Sequence, residues 1–499
     1  MLQSNTSHSS LHYPNAPTKR AADIAARAFW GMSLQERRFV LLIIDLLLLN
    51  FTLLLSLYWR GDTHLGWEVL WSRGYWFITL DVLWLIFATA FGLYELSTAM
   101  GSFRRHGFKI WVASLSVASG YYLIPVLTPE LPQRRLEFYF FPAMVMILMP
   151  LWRAIFFFLI RNKLFATRVL LIGSGASKQD LLGLGEELDI LRKKDRTLGG
   201  YRVLGFVDDQ FAPGEQVRGF PFLGPLAMLD EILTNKQPRE IVVVEGTSSE
   251  PNPETVQHLI SCREKGYAIT RMADFYEGLT QRAMGDHLGT QFVQMLPKDL
   301  SGARRLYKFF NRTMDLGIGI LGCLVTLLLI PFVWIMNKFA SPGPLFYTQE
   351  RVGLAAKPYR IYKFRSMIVN AERETGAVWA KENDQRITRF GRFLRRSRLD
   401  EFPQFLNVLK GEMSFIGPRP ERPKFVEDLA QKLPFYRLRH AVKPGITGWA
   451  QIKYPYGASL QDAKMKLQYD LYYIKHQGIA LDLTIFLRTI SVILGLKGR

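Results

Sequence analysis

Cysteine is almost missing from this sequence. Cys262 and Cys323 are the only two among 499 residues. That excludes a disulfide framework and a metal site built from thiolates, and it suits soluble parts in a reducing compartment. Acidic residues are scarce as well: 43 Asp and Glu stand against 63 Lys and Arg, a formal net charge of +20. Such a surplus points to anionic partners, lipid headgroups and phosphorylated substrates among them. Nucleic acid is a third anionic class, but no recognition motif for it appears, and none is expected to bind. Disorder is excluded by 49% hydrophobic and 13% aromatic residues. The length implies about two to four domains, so a single small module is excluded.

Apolar sequence is plentiful but unevenly spread. Stretches at 39–58, 76–94, 110–127 and 138–160 fill the first third. Each is long enough to cross a hydrocarbon core at about 1.5 Å per residue. The first begins after a polar tail and has three similar segments behind it, which a signal peptide does not. Basic residues gather in the tail (Lys19, Arg20, Arg27, Arg37, Arg38), in the second connection (Arg104, Arg105, Lys109) and at the exit of the fourth stretch (Arg161, Lys163, Arg168). The other two connections are roughly neutral, so both ends of the bundle are expected on the cytoplasmic side. Asp45 and Asp81 fall inside apolar runs; a functional role and a helix-packing hydrogen bond both account for them. The reading is a cytoplasmic tail over 1–36 and a four-helix transmembrane bundle over 37–162.

From Arg168 the pattern changes. The run from Arg168 to Ile172 (RVLLI) reads as a buried strand followed by Gly173-Ser-Gly175, with further strands at 202–207 and 241–244 and helical sequence between. Alternation of this kind predicts a parallel sheet, a Rossmann-like α/β domain over 163–300. The glycine turn suits backbone N–H groups approaching a phosphate. The third glycine of that fingerprint is replaced by Lys178, and Asp208 and Asp209 lie far downstream for ribose ligands. Scaffolding, regulation or dimer contacts remain the alternative use of this domain.

A fifth apolar stretch, about 312–338, has Arg304, Arg305, Lys308 and Arg312 before it and Lys338 after it. Pro331 inside it removes an N–H and crowds the preceding turn, which can divide the helix into two arms. Basic residues at both ends favour a re-entrant hairpin that returns to the cytoplasmic side. A kinked fifth crossing is the competing reading, and it strands a basic C-terminal region on the wrong side.

Residues 351–410 hold 14 Lys and Arg against 6 Asp and Glu. Within this basic field sits Asp400-Glu401, in Arg395-Arg-Ser-Arg398-Leu-Asp-Glu-Phe-Pro-Gln. The opposite charges around them favour ionised carboxyls. An ionised Asp is a nucleophile, and an adjacent Glu suits Mg²⁺, a hard cation that also binds substrate phosphates. A surface salt-bridge cluster is the bland alternative. Gly417-Pro418-Arg419-Pro420 follows, a stiff loop that presents a guanidinium suited to clamping phosphate bidentately. Upstream, Tyr362-Lys363-Phe364-Arg365-Ser366-Met367 alternates like a strand, which puts Lys363 and Arg365 on one face. The segment Lys443-Pro-Gly-Ile-Thr-Gly-Trp449 reads as an ordinary structural loop. The apolar stretch 481–496 suits either an interfacial helix or a buried one.

Together these runs resemble the long form of the monotopic phosphoglycosyl transferases, bacterial sugar transferases that start exopolysaccharide, capsule or O-antigen synthesis. Ser341-Pro-Gly-Pro…Gln349-Glu-Arg-Val-Gly, the KFRSM run, Leu399-Asp-Glu-Phe-Pro-Gln…Asn407-Val-Leu-Lys-Gly and GPRP with Glu421-Arg-Pro stand in the family's order over 301–499. The resemblance implies a transfer of hexose 1-phosphate from a UDP-hexose, glucose or galactose by preference, to undecaprenyl phosphate, for downstream glycosyltransferases to extend. It implies Asp400 as nucleophile, Glu401 as Mg²⁺ ligand, and Arg395 and Arg419 on phosphate. Lys363 and Arg365 are assigned to phosphate by motif position, and Pro418, Pro420 and Pro331 to shaping the site. It also implies a multi-pass protein of the bacterial inner membrane, among membrane lipids, with the catalytic domain on the cytoplasmic face; a homodimer through the middle domain is a further expectation. The rivals are a membrane-bound nucleotide-sugar dehydratase or epimerase, for which Tyr359 and Lys363 have the Tyr-x-x-x-Lys spacing, and a non-enzymatic assembly scaffold. Asp470 serves at this stage as a control carboxylate for Asp400.

Overall fold

A computed structural model describes residues 34–61, 72–95, 103–132, 134–161, 166–174, 200–211, 215–217, 219–245, 253–284, 302–369, 384–454 and 459–494, with 183–185, 188, 189, 191, 371 and 457 besides. Most of the N-terminal tail and the turn from Gly175 through Lys178 lie outside the described residues.

Four helices form the N-terminal bundle: α1 (Leu34–Trp59), α2 (Gly74–Phe91), α3 (Phe103–Tyr122) and α4 (Arg135–Arg161). Leu49, Leu53, Leu80, Trp84, Val117, Phe141 and Val145 fill its core, while Phe39, Leu47, Ile78 and Phe158 face outward. This inverted pattern, apolar on both sides, marks a helix bundle in lipid. Among the described residues, four helices are long and apolar enough to cross a membrane: Glu36–Trp59, Gly74–Phe91, Arg135–Phe158 and Arg304–Ala340. The stretch expected at 110–127 is corrected. Its helix lies earlier, at Phe103–Tyr122, because Pro125 disfavours helical backbone in the residue before it. Arg104, Arg105, Lys109 and three serines then make it the polar member of the bundle.

Both aspartates in the bundle serve packing. Asp45 pairs with Arg153 of α4 and accepts from Tyr94 Oη (2.8 Å), Trp84 Nε1 (3.3 Å) and Trp152 Nε1 (3.2 Å). Asp81 accepts from Asn50 Nδ2 at 3.0 Å, α2 to α1.

The middle domain is a six-stranded sheet in the order β3-β4-β2-β1-β5-β6, made of β1 (Thr167–Ser174), β2 (Tyr201–Val207), β3 (Gln216–Val217), β4 (Phe220–Gly224), β5 (Glu240–Glu245) and β6 (Ala268–Arg271). All its pairings are parallel except β3 with β4. Among the described residues, α5 (Leu229–Lys236), α6 (Pro253–Glu264) and α7 (Met272–Thr280) accompany the sheet. At the end of β1, a Cβ on Gly173 would lie 1.7 Å from the Asp208 carboxylate. The glycine therefore admits the protein's own buried carboxylate. Asp208 accepts from the Gln210 amide and Asp209 from the Leu226 amide, so both serve local turns.

The third unit begins with α8 (Gly302–Ala340), one continuous helix that runs through Pro331; two separate arms, as the proline suggests, are not seen. At about 1.5 Å per residue it is nearly 60 Å long. Contacts with the following domain recur along it. Tyr307 donates to Asp482 (2.6 Å), Arg312 to the Val408 and Leu409 carbonyls (2.8 Å each), Thr326 to the Phe402 carbonyl (3.2 Å) and Asn337 to the Gly343 carbonyl (3.4 Å). Asp315 accepts from the Phe415 amide at 2.7 Å. Gly319 and Gly322 leave room for Leu409 and Phe405, which a Cβ would meet at 2.7 and 2.2 Å. The opposite face is exposed and apolar: Leu321, Leu324, Leu328, Trp334 and Phe339.

On this helix sit the hairpin β7 (Phe346–Val352) with β8 (Pro358–Phe364), then α9 (Arg389–Arg396), a 3₁₀ turn (Leu399–Gln404) and α10 (Phe405–Lys410). The parallel pair β9 (Ser414–Ile416) and β10 (Gly445–Thr447) follows, with α11 (Pro423–Lys432), α12 (Trp449–Lys453), α13 (Leu460–His476) and α14 (Ile479–Leu494). α14 is buried on one side, where Ile485 is fully buried and Arg488 bonds to the Thr89 carbonyl at the end of α2, while Ile479, Leu483 and Ile490 are exposed.

The three units meet at one buried junction. Glu95, just past α2, pairs with Lys453 of α12 and with Arg488 of α14 (2.5 Å), and Lys453 also donates to Gln281 beyond α7 (2.6 Å). Burial alone would raise the Glu95 carboxyl, but Lys453 and Arg488 beside it hold it at about 2. Removing that charge strands two buried cations. Glu95→Gln is expected to cost about 1–3 kcal/mol and to lower the Tm of the detergent-solubilised chain. Equal melting would remove this junction from the forces that join the units.

Candidate active site

Asp400 and Glu401 sit in the 3₁₀ turn between α9 and α10, and four elements converge on them. Lys363 comes from β8. Its Nζ lies 2.9 Å from Glu401 Oε1. Arg419, on the loop after β9, reaches the same oxygen at 2.7 Å. Arg398, at the entry to the turn, lies 3.8 Å from Glu401 Oε2. Arg395, at the end of α9, donates through Nε to Ser366 Oγ (2.9 Å) and acts electrostatically on Asp400.

The two carboxyls are pushed apart. Burial would raise Glu401, yet Arg419, Lys363 and Arg398 hold it well below the usual range. Asp400 is buried next to that fixed negative charge and is pushed up to about 6. Both carboxyls remain ionised near neutral pH, but unequally: the cations pair with Glu401, while burial and the like charge outweigh Lys363, Arg395 and Arg419 at the aspartate. Among the described residues, no group donates a hydrogen bond to the Asp400 side chain. The residue is 7% exposed, and its carboxylate stands beside a glutamate ringed by three cations.

The loop carrying Arg419 is held from behind. Arg439 donates to the Arg419 carbonyl (2.9 Å) and Arg351 to the Pro420 carbonyl (3.0 Å). The buried Arg439 is itself fixed by Asp470 (2.9 Å) and Tyr436 Oη (2.7 Å). Asp470 is therefore no neutral control for Asp400. The segment read as an ordinary loop is the other wall: Gly445 N donates to the Pro418 carbonyl and Gly417 N to the Thr447 carbonyl, each at 2.9 Å. Gly417, Gly445 and Gly448 permit that approach, since a Cβ on any of them would fall 2.1–2.3 Å from a neighbouring backbone atom. Asn407, fully buried, ties β8 to α10 by accepting from the Tyr362 amide (3.2 Å) and donating to the Arg360 carbonyl (2.8 Å).

Arg365 is corrected. It lies one residue beyond β8 and turns away from Lys363. Its guanidinium is spent on the Pro344, Met367 and Ser341 carbonyls, Ser341 Oγ and Asn337 Oδ1. It clamps the turn that leaves α8 and has no face for a phosphate. Pro418 and Pro420 flank Arg419 in the loop after β9; Pro331 lies within α8, outside that loop. Arg351, Arg398, Arg439, Asp470 and Asn407 are additions that the sequence reading did not single out.

The donor set fits Mg²⁺ of one kind. No group of three or more His, Cys, Asp or Glu side chains that could hold a metal occurs among the described residues. Two adjacent carboxylates do suit a cation that takes one or two protein oxygens and completes its shell with phosphate and water.

The chain belongs to the bacterial sugar transferase family, whose model matches residues 306–495. The exopolysaccharide production protein PSS of Rhizobium leguminosarum bv. phaseoli is 37% identical over 188 residues, 36% of this chain and 92% of that one. A UDP-N-acetylgalactosamine-undecaprenyl-phosphate N-acetylgalactosaminephosphotransferase of Aeromonas hydrophila is 40% identical over 237 residues, 47% of this chain and 54% of the relative. The UDP-glucose:undecaprenyl-phosphate glucose-1-phosphate transferase of Escherichia coli K12 is 41% identical over 207 residues, 40% of this chain and 43% of the relative. The match thus spans about half the length of these last two relatives or less.

Proposed function

We propose that this protein transfers a hexose 1-phosphate from a UDP-hexose to undecaprenyl phosphate, the first step of a bacterial surface polysaccharide. The observation that carries it is the pairing of Asp400, buried with a donor-free carboxylate, with Glu401, which gathers Lys363, Arg398 and Arg419 beside it. An Asp400 oxygen attacks the β-phosphorus of the UDP-sugar. The bond from that phosphorus to the bridging oxygen breaks, and UMP leaves with the electron pair. An oxygen of undecaprenyl phosphate then attacks the same phosphorus, and the Asp400 carboxylate is released. Phosphoryl transfer of this kind rests on positioning and charge stabilisation. Arg419 and Lys363 supply fixed positive charge, and Arg395 neutralises the second flank. Glu401, with Asp400 beside it, would hold Mg²⁺, which when bound supplies charge neutralisation for the diphosphate.

The contacts of α8 support a placement with both of its ends on one side of the membrane, as the re-entrant reading requires. The helix is gripped by the same domain from Tyr307 to Asn337, which a straight crossing to the far side does not allow. With the charge pattern of the bundle, this supports a site at the cytoplasmic face of the inner membrane, where a lipid phosphate lies. The strand order β4-β2-β1-β5-β6 supports a Rossmann-like middle domain, used for scaffolding and a dimer contact, and downstream glycosyltransferases take the lipid-linked product. The dehydratase reading loses its Tyr-Lys pair: Tyr359 and Lys363 lie on one strand, roughly 13 Å apart, and Lys363 is committed to Glu401.

UMP release from a panel of UDP-sugars with undecaprenyl phosphate and Mg²⁺ tests the proposal; no release from any sugar overturns it. A pH profile adds a second check. Because Asp400 is pushed up to about 6 and attacks as the carboxylate, kcat/KM should fall about tenfold per unit below pH 6 and flatten above it. A profile flat from pH 5 to 8 would count against the aspartate.

A further inference from the structure

Arg398 adopts a left-handed backbone at φ 61°. For a residue with a Cβ this conformation is strained, and for glycine it costs almost nothing. The backbone has a clear task. Arg398 N donates to the Arg395 carbonyl, closing α9, and Glu401 N donates to the Arg398 carbonyl, opening the next turn, both at 3.2 Å. That reversal aims Asp400 into the domain. A glycine would perform it more cheaply, so the side chain needs another reason.

The side chain of Arg398 is 42% exposed and meets the site through a single long ion pair, 3.8 Å to Glu401 Oε2. Lys363 and Arg419 hold the other oxygen at hydrogen-bond distance. Glu401 Oε1 is thus held by two hydrogen-bonded cations, while Oε2 has Arg398 alone, beyond hydrogen-bond distance. Arg398 is the most loosely held and the most exposed of the three cations. Once displaced, its planar fork remains within reach of an incoming phosphate and suits two of its oxygens at once.

We propose that Arg398 is a further substrate-binding residue: it rests on Glu401 and turns onto the diphosphate of the nucleotide sugar when that binds. This rests on the transfer reaction proposed above. Residues that hold backbone in this way are tested by exchanges that keep the backbone. Arg398→Gly relieves the left-handed strain, so its Tm should equal or exceed that of the parent. The KM for the UDP-sugar should nevertheless rise about tenfold or more, the loss expected for one charged hydrogen-bonding partner. Arg398→Asn, which also tolerates this conformation, repeats the measurement should the glycine variant melt early. An unchanged KM in whichever variant melts like the parent overturns the role of Arg398 while the transfer reaction stands. No UMP from the unmodified protein with any UDP-sugar overturns the reaction itself.

Discussion

Asp400→Asn is expected to stop UMP release, by about a thousandfold or more, the scale on which losing a covalent nucleophile is felt. It is also expected to leave the fold intact or firmer. The folded carboxyl is pushed up to about 6 from an ordinary 3.8 by burial and by Glu401. A carboxyl raised on folding contributes stability while protonated, below the unfolded value, and loses that contribution as pH rises through 6. At pH 8 the parent carries a buried charge that the asparagine does not, worth on the order of 1–3 kcal/mol. The gain in Tm should therefore be present at pH 8 and vanish near pH 4. Lost turnover with retained or raised melting separates a missing nucleophile from a damaged site. Asp230→Asn is a suitable control, since Asp230 is an exposed carboxylate paired with Lys265 on the middle domain. Full turnover in Asp400→Asn would remove the aspartate from the mechanism.

The parts of the site legible in sequence are those written locally. Asp400-Glu401 within a basic run and Arg419 between two prolines carry their chemistry in adjacent residues. Lys363 is assigned by motif position, and the structure brings it to Glu401. Alternation, which puts Arg365 on the same face, fails two residues later. Arg365 lies past the end of β8, where the period of two no longer governs direction, and Asn337 and the turn after α8 capture it. The supports, Arg351, Arg439, Asp470 and Asn407, are separated from the residues they hold by 20 to 70 positions or act through backbone carbonyls. No spacing in the sequence announces such contacts. The Lys443–Trp449 segment had a signal, three closely placed glycines with a proline, but glycine-rich turns are common and only its pairing with Gly417 and Pro418 gives it a role. In the bundle, hydropathy located four helices and misjudged the span of one, because Pro125 outweighs an apolar run in fixing where a helix stops.

Asp470→Ala should be the most damaging exchange outside the reacting groups. Asp470 and Arg439 are both buried, 7% exposed or less. Removing the carboxylate leaves a buried guanidinium without its ion partner, a change that costs about 3–5 kcal/mol. Burial already pushes the Asp470 carboxyl up to about 6 in spite of Arg439, so the pair is held by geometry more than by favourable solvation. The same guanidinium carries the Arg419 carbonyl; once it shifts, the loop that points Arg419 at Glu401 loosens. Tm and UMP release should therefore fall together in Asp470→Ala. The double exchange Arg439→Met with Asp470→Leu fills the space with apolar side chains and removes the stranded charge, so much of the Tm should return. Turnover should stay low, because no donor then holds the Arg419 carbonyl. Recovery of both would make the pair a packing element only, and an Asp470→Ala protein with the parent's melting and turnover would overturn its place behind the site.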